Sequence, residues 1–383
     1  MPRVHGWFVA AGVFVTLLVP RAGLGQEPVA PPPPPPPAPA GQVAPSGRAF
    51  NPDISVIGNF LGVAGPSGFT TEPALQLTEA EVAFQSAVDP YARADFFVAV
   101  GPEGAELEEG FITFTALPAR LLLKAGKIRA QFGKVSTLHP HRLPTADRPL
   151  VAVNLLGGEE GLADSGVSLS HLIQNPLVFL ELTGEVFAGT SEVFQSTDRS
   201  RLAYVGRVRA YRDLTESTNL DLGSSFAFGP FLPESTEDGD VLEGPDGEPA
   251  APALDRRLVG VDVTLRYRPL QGATYRRLNV RSELVWSRQD ALGGEATAFG
   301  AYALAEYQFA RRWYLGGRID RSGRPFDGEL VDRGGSVFVT FWPTEFSQIR
   351  GQVRRTHRAD GTSGTEALLQ FNFSIGAHGA HEF

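Results

Sequence analysis

The sequence predicts an all-β protein, a transmembrane antiparallel up-and-down β-barrel of about 16 strands, with roughly 14 to 18 as the range. Two patterns carry this prediction. Apolar and polar residues alternate with a period of two through most of the chain, and tight connections alternate with longer ones. The 383 residues also include 43 glycines and no cysteine, which argues against a helical protein and excludes a disulfide scaffold.

The N-terminal segment predicts export. Residues 1–25 have the pattern of a cleaved signal peptide, with Arg3 before the apolar run 7–19 and small residues before Gln26. Residues 26–49 predict a proline-rich periplasmic linker, because the consecutive prolines at 31–37 favour a semi-rigid polyproline II spacer. The linker is either a passive spacer or a tether for a periplasmic partner.

Residues 50–383 are assigned to the barrel. Along 256–268, Val259, Val261 and Val263 share one face, whereas Asp262 and Arg266 lie on the other. The stretches 52–63 and 164–173 are patterned more weakly, and 120–132 breaks the alternation unless a β-bulge near Gly126 restores it.

The connections between the predicted strands differ in length on the two sides. Those after even-numbered strands are tight, whereas most of those after odd-numbered strands are long, as at 64–74, 133–163, 190–201, 230–255 and 322–333. This asymmetry is typical of outer-membrane barrels, which have short periplasmic turns and long outer loops.

The C-terminus carries a resemblance. Phe383 is the last residue, and Phe371, Phe373 and Ile375 keep one parity before it. On this pattern the chain resembles a Gram-negative outer-membrane β-barrel of porin type. The resemblance implies that the barrel-assembly machinery reads Phe383 as an assembly signal.

A second, looser resemblance concerns the middle of the chain. The stretch from Gly126 to Leu172, with His139-Pro140-His141 and Glu159-Glu160-Gly161-Leu162, is similar to uncharacterised barrels labelled zinc-regulated or TonB-dependent outer-membrane proteins. A TonB-dependent receptor has a globular plug before its barrel, and residues 26–49 are too few to form one.

These features define the expected location and partners. We expect the outer membrane of a Gram-negative-type bacterium, with contacts to its lipid, to the barrel-assembly machinery and to small hydrophilic solutes or ions. Because porins of similar size are often trimers, the resemblance also implies a homotrimer. A net charge of −9 argues against nucleic acid as a partner.

With the apolar parity facing lipid, the polar parity predicts the lumen. Acidic residues dominate the earlier strands and arginines the later ones, so we expect opposed acidic and basic walls that filter ions. These charges could instead pair across neighbouring strands and stabilise the wall. The predicted channel-lining residues are Glu79, Glu81, Asp95, Glu181, Arg207, Arg209, Arg266, Arg277, Arg281 and Arg350.

The connection 133–163 is the candidate constriction, by analogy with the porin loop that folds into the barrel; the alternative is a loop packed on the outer rim. His139 and His141 in this connection, with Asp147 nearby, could ligate zinc or a similar ion. His378 and His381 are an alternative pair, and either pair could simply be solvated. No other cofactor is expected.

The sequence is compatible with three functions. The first is a porin for passive diffusion of small hydrophilic solutes or ions. The second is a metal-ion uptake receptor or TonB-linked protein, and the third is a structural barrel with a periplasmic tether. No enzymatic activity is predicted, because Ser170 and His171, which adjoin in sequence, would point to opposite faces of a strand.

Overall fold

The structure, a computed structural model, describes residues 52–66, 73–102, 104–232, 254–291 and 294–376. The predicted signal peptide 1–25 and linker 26–49 lie outside the described residues, as do His378, His381 and Phe383. Within the described residues, 16 antiparallel strands form a closed barrel in which each strand pairs with its sequence neighbours and the last pairs with the first. This confirms the predicted fold class and strand number.

The strands follow the predicted segments closely. They are β1 (Asp53–Ala64), β2 (Leu75–Asp89), β3 (Ala92–Gly101), β4 (Gly104–Phe114), β5 (Leu121–Arg129), β6 (Ala163–Ile173), β7 (Phe179–Phe187), β8 (Ala203–Thr215), β9 (Thr218–Phe231), β10 (Leu254–Tyr267), β11 (Arg277–Ala291), β12 (Gly294–Ala310), β13 (Trp313–Gly323), β14 (Val331–Thr344), β15 (Ser347–His357) and β16 (Ser363–Gly376).

Helical structure in the described part of the chain is brief. One α-helix, α1, spans Leu150–Leu155, and single 3₁₀ turns lie at Pro118–Arg120, Val135–Thr137 and Pro140–Arg142. None of the described helices is long and apolar enough to cross a membrane.

Alternation sets the two faces of the wall. In β16, Leu369, Phe371 and Ile375 are exposed on the outside, whereas Gln370 and Asn372 between them are buried inside. Aromatic side chains lie near the turns, where Trp313 stacks on Phe341 with ring centroids 4.4 Å apart. The apolar outer face is what a hydrocarbon environment requires, because a closed barrel satisfies its own backbone hydrogen bonds.

A bulge near Gly126, which would have restored the alternation in 120–132, is absent. β5 pairs with β6 without a change of register through this residue. A bulge occurs instead in β4, where Phe97 pairs with Glu109 and Val98 with Leu107, so that Glu108 is an extra residue. Glu108 and Glu109 consequently both reach the barrel interior, although they are adjacent in sequence.

The long connection between β5 and β6, residues 130–162, folds into the barrel; we call it the inserted segment. Its two ends meet where the Ala130 amide donates to the Leu162 carbonyl at 2.7 Å. The alternative of a loop packed on the outer rim is wrong, because the residues of this segment are buried against the inner face of the barrel. Phe132 and Val151 of this segment are fully buried and belong to one hydrophobic cluster that includes Leu258 of β10.

Inward-facing glycines make room for this packing. A Cβ at Gly260 of β10 would lie 2.9 Å from the ring of Phe132, and one at Gly300 of β12 would lie 2.6 Å from Val151. The inserted segment thus packs against the far wall through a core inside the barrel, which holds the segment across the lumen.

Candidate functional site

The inserted segment is bonded to three parts of the wall, and the first contact is with β9 to β11. The backbone amides of Lys134 and Val135 donate to the Glu283 carboxylate at 2.6 and 2.7 Å. The Lys134 ammonium group lies 2.5 Å from Asp221. Its burial lowers the pKa of Lys134, and the Asp221 partner only partly offsets this effect. The first turn of the segment is therefore fixed by charged hydrogen bonds.

The second contact is with β2 and β4 on the opposite side. His139 Nδ1 lies 2.5 Å from Glu108 and 2.9 Å from Glu81, and its Nε2 lies 2.8 Å from Glu109. Burial disfavours the charged imidazole, but these three carboxylates outweigh it and raise the pKa of His139 well above its ordinary value. Arg129 also binds Glu108, at 3.0 Å.

The third contact joins the segment to β13 and β15. Asp147 accepts hydrogen bonds from Arg318 at 2.8 Å, from Arg354 at 3.2 Å and from Gln352. Burial disfavours the ionised carboxylate, but the two guanidinium groups outweigh it and keep the pKa of Asp147 below its ordinary value. The amide of Leu150, at the start of α1, donates to Asp320 at 3.2 Å.

These contacts bring predicted residues together in a way that the sequence did not indicate. Asp147, expected near the two histidines, instead binds arginines of β13 and β15. His139 and His141 do lie side by side, with ring centroids 5.7 Å apart, on the two sides of the turn made by Pro140.

The ten predicted channel-lining residues are all buried or half-buried, and their side chains do not lie on the outer surface of the barrel. Five are buried, namely Glu79, Glu81, Asp95, Arg207 and Arg350, and five are half-buried, namely Glu181, Arg209, Arg266, Arg277 and Arg281. Several bind a neighbouring charge, as the wall-stabilising alternative expected. Arg207 binds Asp262 at 2.8 Å, and Arg209 binds Asp221 at 2.9 Å.

The acidic and basic sides differ in their access to water. Glu79 and Glu81 are 7% and 2% exposed, because the inserted segment covers them. The Arg209 and Arg266 side chains are 37% and 35% exposed, although they lie on the inward parity. Exposure on this parity is exposure to the lumen, so water reaches the wall formed by β8 to β11.

Two groups of side chains among the described residues have the composition of a metal site. Glu79, Glu81 and His141 form one, and Glu81, Glu108 and His139 form the other, each with potential ligand atoms within 4.8 Å of one another. The sequence indicated the histidines but assigned Glu79 and Glu81 to the channel wall and missed Glu108. The adjacent pair Glu108-Glu109 was the available signal, since in a regular strand one of the two would face lipid.

The architecture is that of a porin-type outer-membrane barrel: the described residues form a closed 16-stranded antiparallel sheet, and the connection between β5 and β6 folds inside it. Solved structures with this fold include an anion-selective porin from Comamonas acidovorans, with a TM-score of 0.57, 9% identity and coverage of 85% of this chain and all (100%) of that chain.

Two further structures match in the same way. The outer-membrane channel DcaP of Acinetobacter baumannii has a TM-score of 0.53 at 11% identity, covering 85% of this chain and 96% of that chain. OmpT, an outer-membrane protein of Vibrio cholerae in a trimer form, has a TM-score of 0.54 at 8% identity, covering 85% and 99%. At these identities the likeness concerns the fold.

Sequence comparison gives a relative without a known function. An uncharacterised protein of Aquifex aeolicus (strain VF5) is 29% identical over 399 residues, covering 89% of this chain and 82% of that protein. No family model matches the chain.

Proposed function

We propose that this protein is an outer-membrane porin for passive diffusion of small hydrophilic solutes, with a preference for anions. The observation that supports the proposal is a basic surface inside the barrel, on β8 to β11, whose side chains are accessible to water. Four half-buried arginines, Arg209 on β8, Arg266 on β10, and Arg277 and Arg281 on β11, face the lumen within the continuous stretch of wall from β8 to β11.

The charged groups that meet at this wall carry a positive excess. Besides the four half-buried arginines they include Arg207 and Lys134, six cations in all, and five carboxylates share the wall, those of Asp221, Glu181, Asp262, Glu283 and Glu306. The single carboxylate of Asp221 forms ion pairs with three cations, Lys134, Arg209 and Arg266. Because a low-dielectric wall focuses the field into the lumen, this excess favours anions over cations.

The opposed-wall hypothesis is thereby refined. The acidic wall at β2 and β4 is covered by His139 and by the rest of the inserted segment, so its charge acts on the segment rather than on a passing solute. The segment itself forms the constriction, since it is bonded to strands on several sides of the barrel. Support from known proteins comes from the fold shared with the anion-selective porin.

Ion selectivity in planar bilayers tests this proposal. The double variant Arg266→Gln and Arg281→Gln removes two lumen charges and should shift the reversal potential in a KCl gradient towards cations. Arg321→Gln is the matched control, since Arg321 is exposed on the other parity of β13. An unchanged reversal potential in the double variant contradicts the basic filter. A barrel without any conductance would favour the metal-uptake or structural alternatives.

The proposal includes a homotrimer, supported by the porin-type fold and by the trimer form of the Vibrio cholerae protein. Light scattering of the detergent-extracted protein, corrected for bound detergent, should give three chains per particle. A mass of one chain would remove the trimer from the proposal and leave the channel intact.

A further inference from the structure

We propose that Glu79, Glu81 and His141 bind a divalent transition-metal ion of the zinc type, which fastens the inserted segment to β2. This inference does not depend on the anion preference. It rests on the geometry of the three residues, on a buried carboxylate oxygen that has no hydrogen-bond partner among the described residues, and on the number of carboxylates that meet there.

The three side chains are already gathered in one buried place. Glu79, Glu81 and His141 are 7%, 2% and 5% exposed, and one potential ligand atom from each lies within 4.8 Å of the other two. His141 Nδ1 and Glu81 Oε2 are 3.6 Å apart. Two ligands about 2.1 Å from a tetrahedral zinc ion are about 3.4 Å apart, so this pair needs little movement to bind one ion.

Glu79 supplies the independent observation. Its Oε1 atom is buried and has no hydrogen-bond partner among the described residues. An ionised carboxylate in such a place is costly unless a cation binds it. The Glu81 Oε2 atom faces the same space, where it contacts both imidazoles.

The surroundings of the site are rich in carboxylates. Four of them, those of Glu79, Glu81, Glu108 and Glu109, meet here. Arg129 binds Glu108, and the His139 ring contacts Glu81, Glu108 and Glu109. Arg148 lies within electrostatic range of Glu79 and Glu108, but it donates its hydrogen bonds to the carbonyls of Val135 and Leu138.

Glu79 is the carboxylate without an ion pair among the described residues. A divalent ion bound by Glu79, Glu81 and His141 would give this buried carboxylate a cationic partner.

The second group, which contains His139, is the weaker candidate. Both ring nitrogens of His139 already contact carboxylates, at 2.5 Å to Glu108 and 2.8 Å to Glu109. A metal ion at Nδ1 would have to displace the proton that these contacts hold. We therefore assign His139 a positioning role, in which its contact with Glu81 orients a metal ligand.

The donor set selects the type of ion. Two carboxylates and one imidazole suit zinc and its neighbours among the transition metals, whereas calcium and magnesium prefer oxygen ligands in larger number. Three protein ligands leave a fourth position for water.

The test is equilibrium binding of Zn²⁺ to the purified full-length barrel, with Co²⁺ absorption as a spectroscopic readout of the ligand field. We expect saturable binding of one ion per chain. Glu79→Gln and His141→Ala should each weaken binding by more than about 100-fold, which is the upper range for changing a residue that only orients a ligand.

Glu185→Gln is the matched control, because Glu185 is also a buried inward carboxylate that bonds the inserted segment through the Gln131 amide. It should leave the affinity for Zn²⁺ unchanged. Each variant is first checked for a folded barrel by circular dichroism and heat-dependent gel mobility. If His141→Ala does not fold, His139→Gln replaces it in the binding measurement, and we expect this variant to bind Zn²⁺ more weakly than the wild type.

Three results would overturn the assignment. They are no saturable binding by the folded wild type, equal affinity in wild type and Glu79→Gln, and loss of binding only in a variant that replaces His378 and His381. The last would place the ion at the C-terminal histidines instead.

Discussion

Replacing Asp147 by Asn tests how the inserted segment is held. The Asp147 carboxylate is the one group of the segment that meets two arginines of the wall, Arg318 and Arg354. Asparagine keeps the size of the side chain and removes its charge. The change should therefore loosen the segment without altering the strands.

The expected magnitude follows from the burial and the remaining partners. The side chains of Arg318, Asp147 and Arg354 are 3%, 15% and 20% exposed. Removing one partner of a buried ion pair costs about 3–5 kcal/mol. Arg318 keeps Asp320 at 2.7 Å and Arg354 keeps Glu366 at 2.7 Å, so neither guanidinium is stranded. We therefore expect the low end, about 3 kcal/mol, or a docking equilibrium about 100-fold weaker.

Hydrogen exchange measured by mass spectrometry is the assay. Peptides from residues 130–162 should exchange about 100-fold faster in Asp147→Asn, while peptides from the strands keep their protection. Glu295→Gln is the control, because Glu295 forms an exposed pair with Arg288 that is worth at most about 1 kcal/mol. Equal protection of the segment in wild type and Asp147→Asn would refute its role as an anchor.

Other perturbations address the same architecture. Gly260→Ala should push Phe132 out of its core and raise hydrogen exchange in the inserted segment, at a cost of about 1–3 kcal/mol. Gly206→Ala, with open space at its Cβ, should leave this exchange unchanged. Equal exchange in the two variants would contradict the packing. Phe132→Ala should weaken docking by about 3–5 kcal/mol, measured in the same experiment, and a loss below 1 kcal/mol would speak against it. The pKa of Asp147 is lowered in the folded protein, so its contribution is complete above its ordinary value of 3.8 and is lost as the pH falls through the lowered pKa. The difference in protection between wild type and Asp147→Asn should consequently be constant at neutral pH and disappear in acid; a difference that vanishes already near neutrality would contradict this sign.

The wall of the barrel was predictable because its signal is local. Alternation in a segment such as 256–268 states directly which side chains face lipid, and Val259 and Val261 are indeed exposed there. The bulge at Glu108 was not predictable from β4 alone, because it appears only in the register of β4 against β3. The bulge considered near Gly126 concerned β5, whose register against β6 continues through that residue.

The path of the inserted segment was not predictable in the same way. Its anchor points are single residues on distant strands, and no local pattern states which strand a long connection reaches. A partial signal existed: Leu258, Leu304 and Phe338 are apolar side chains on the polar parity, and all three are buried inside the barrel. Apolar residues on a lumen face indicate that something packs against them.

In the candidate metal site, one part of the signal is local in sequence and the other part depends on distant strands. His139 and His141 were recognised because they are close in sequence, but their carboxylate partners come from β2 and β4, about 30 to 60 residues away in the chain. Only the closure of the barrel and the entry of the segment bring these groups together.

The reversal potential of the wild-type channel in a KCl gradient tests the proposed anion preference. We expect stepwise openings and a reversal potential of the sign that denotes anion preference, since the basic wall at β8 to β11 is the charged surface that water reaches. A channel that prefers cations, or a correctly folded barrel that never opens, would contradict it.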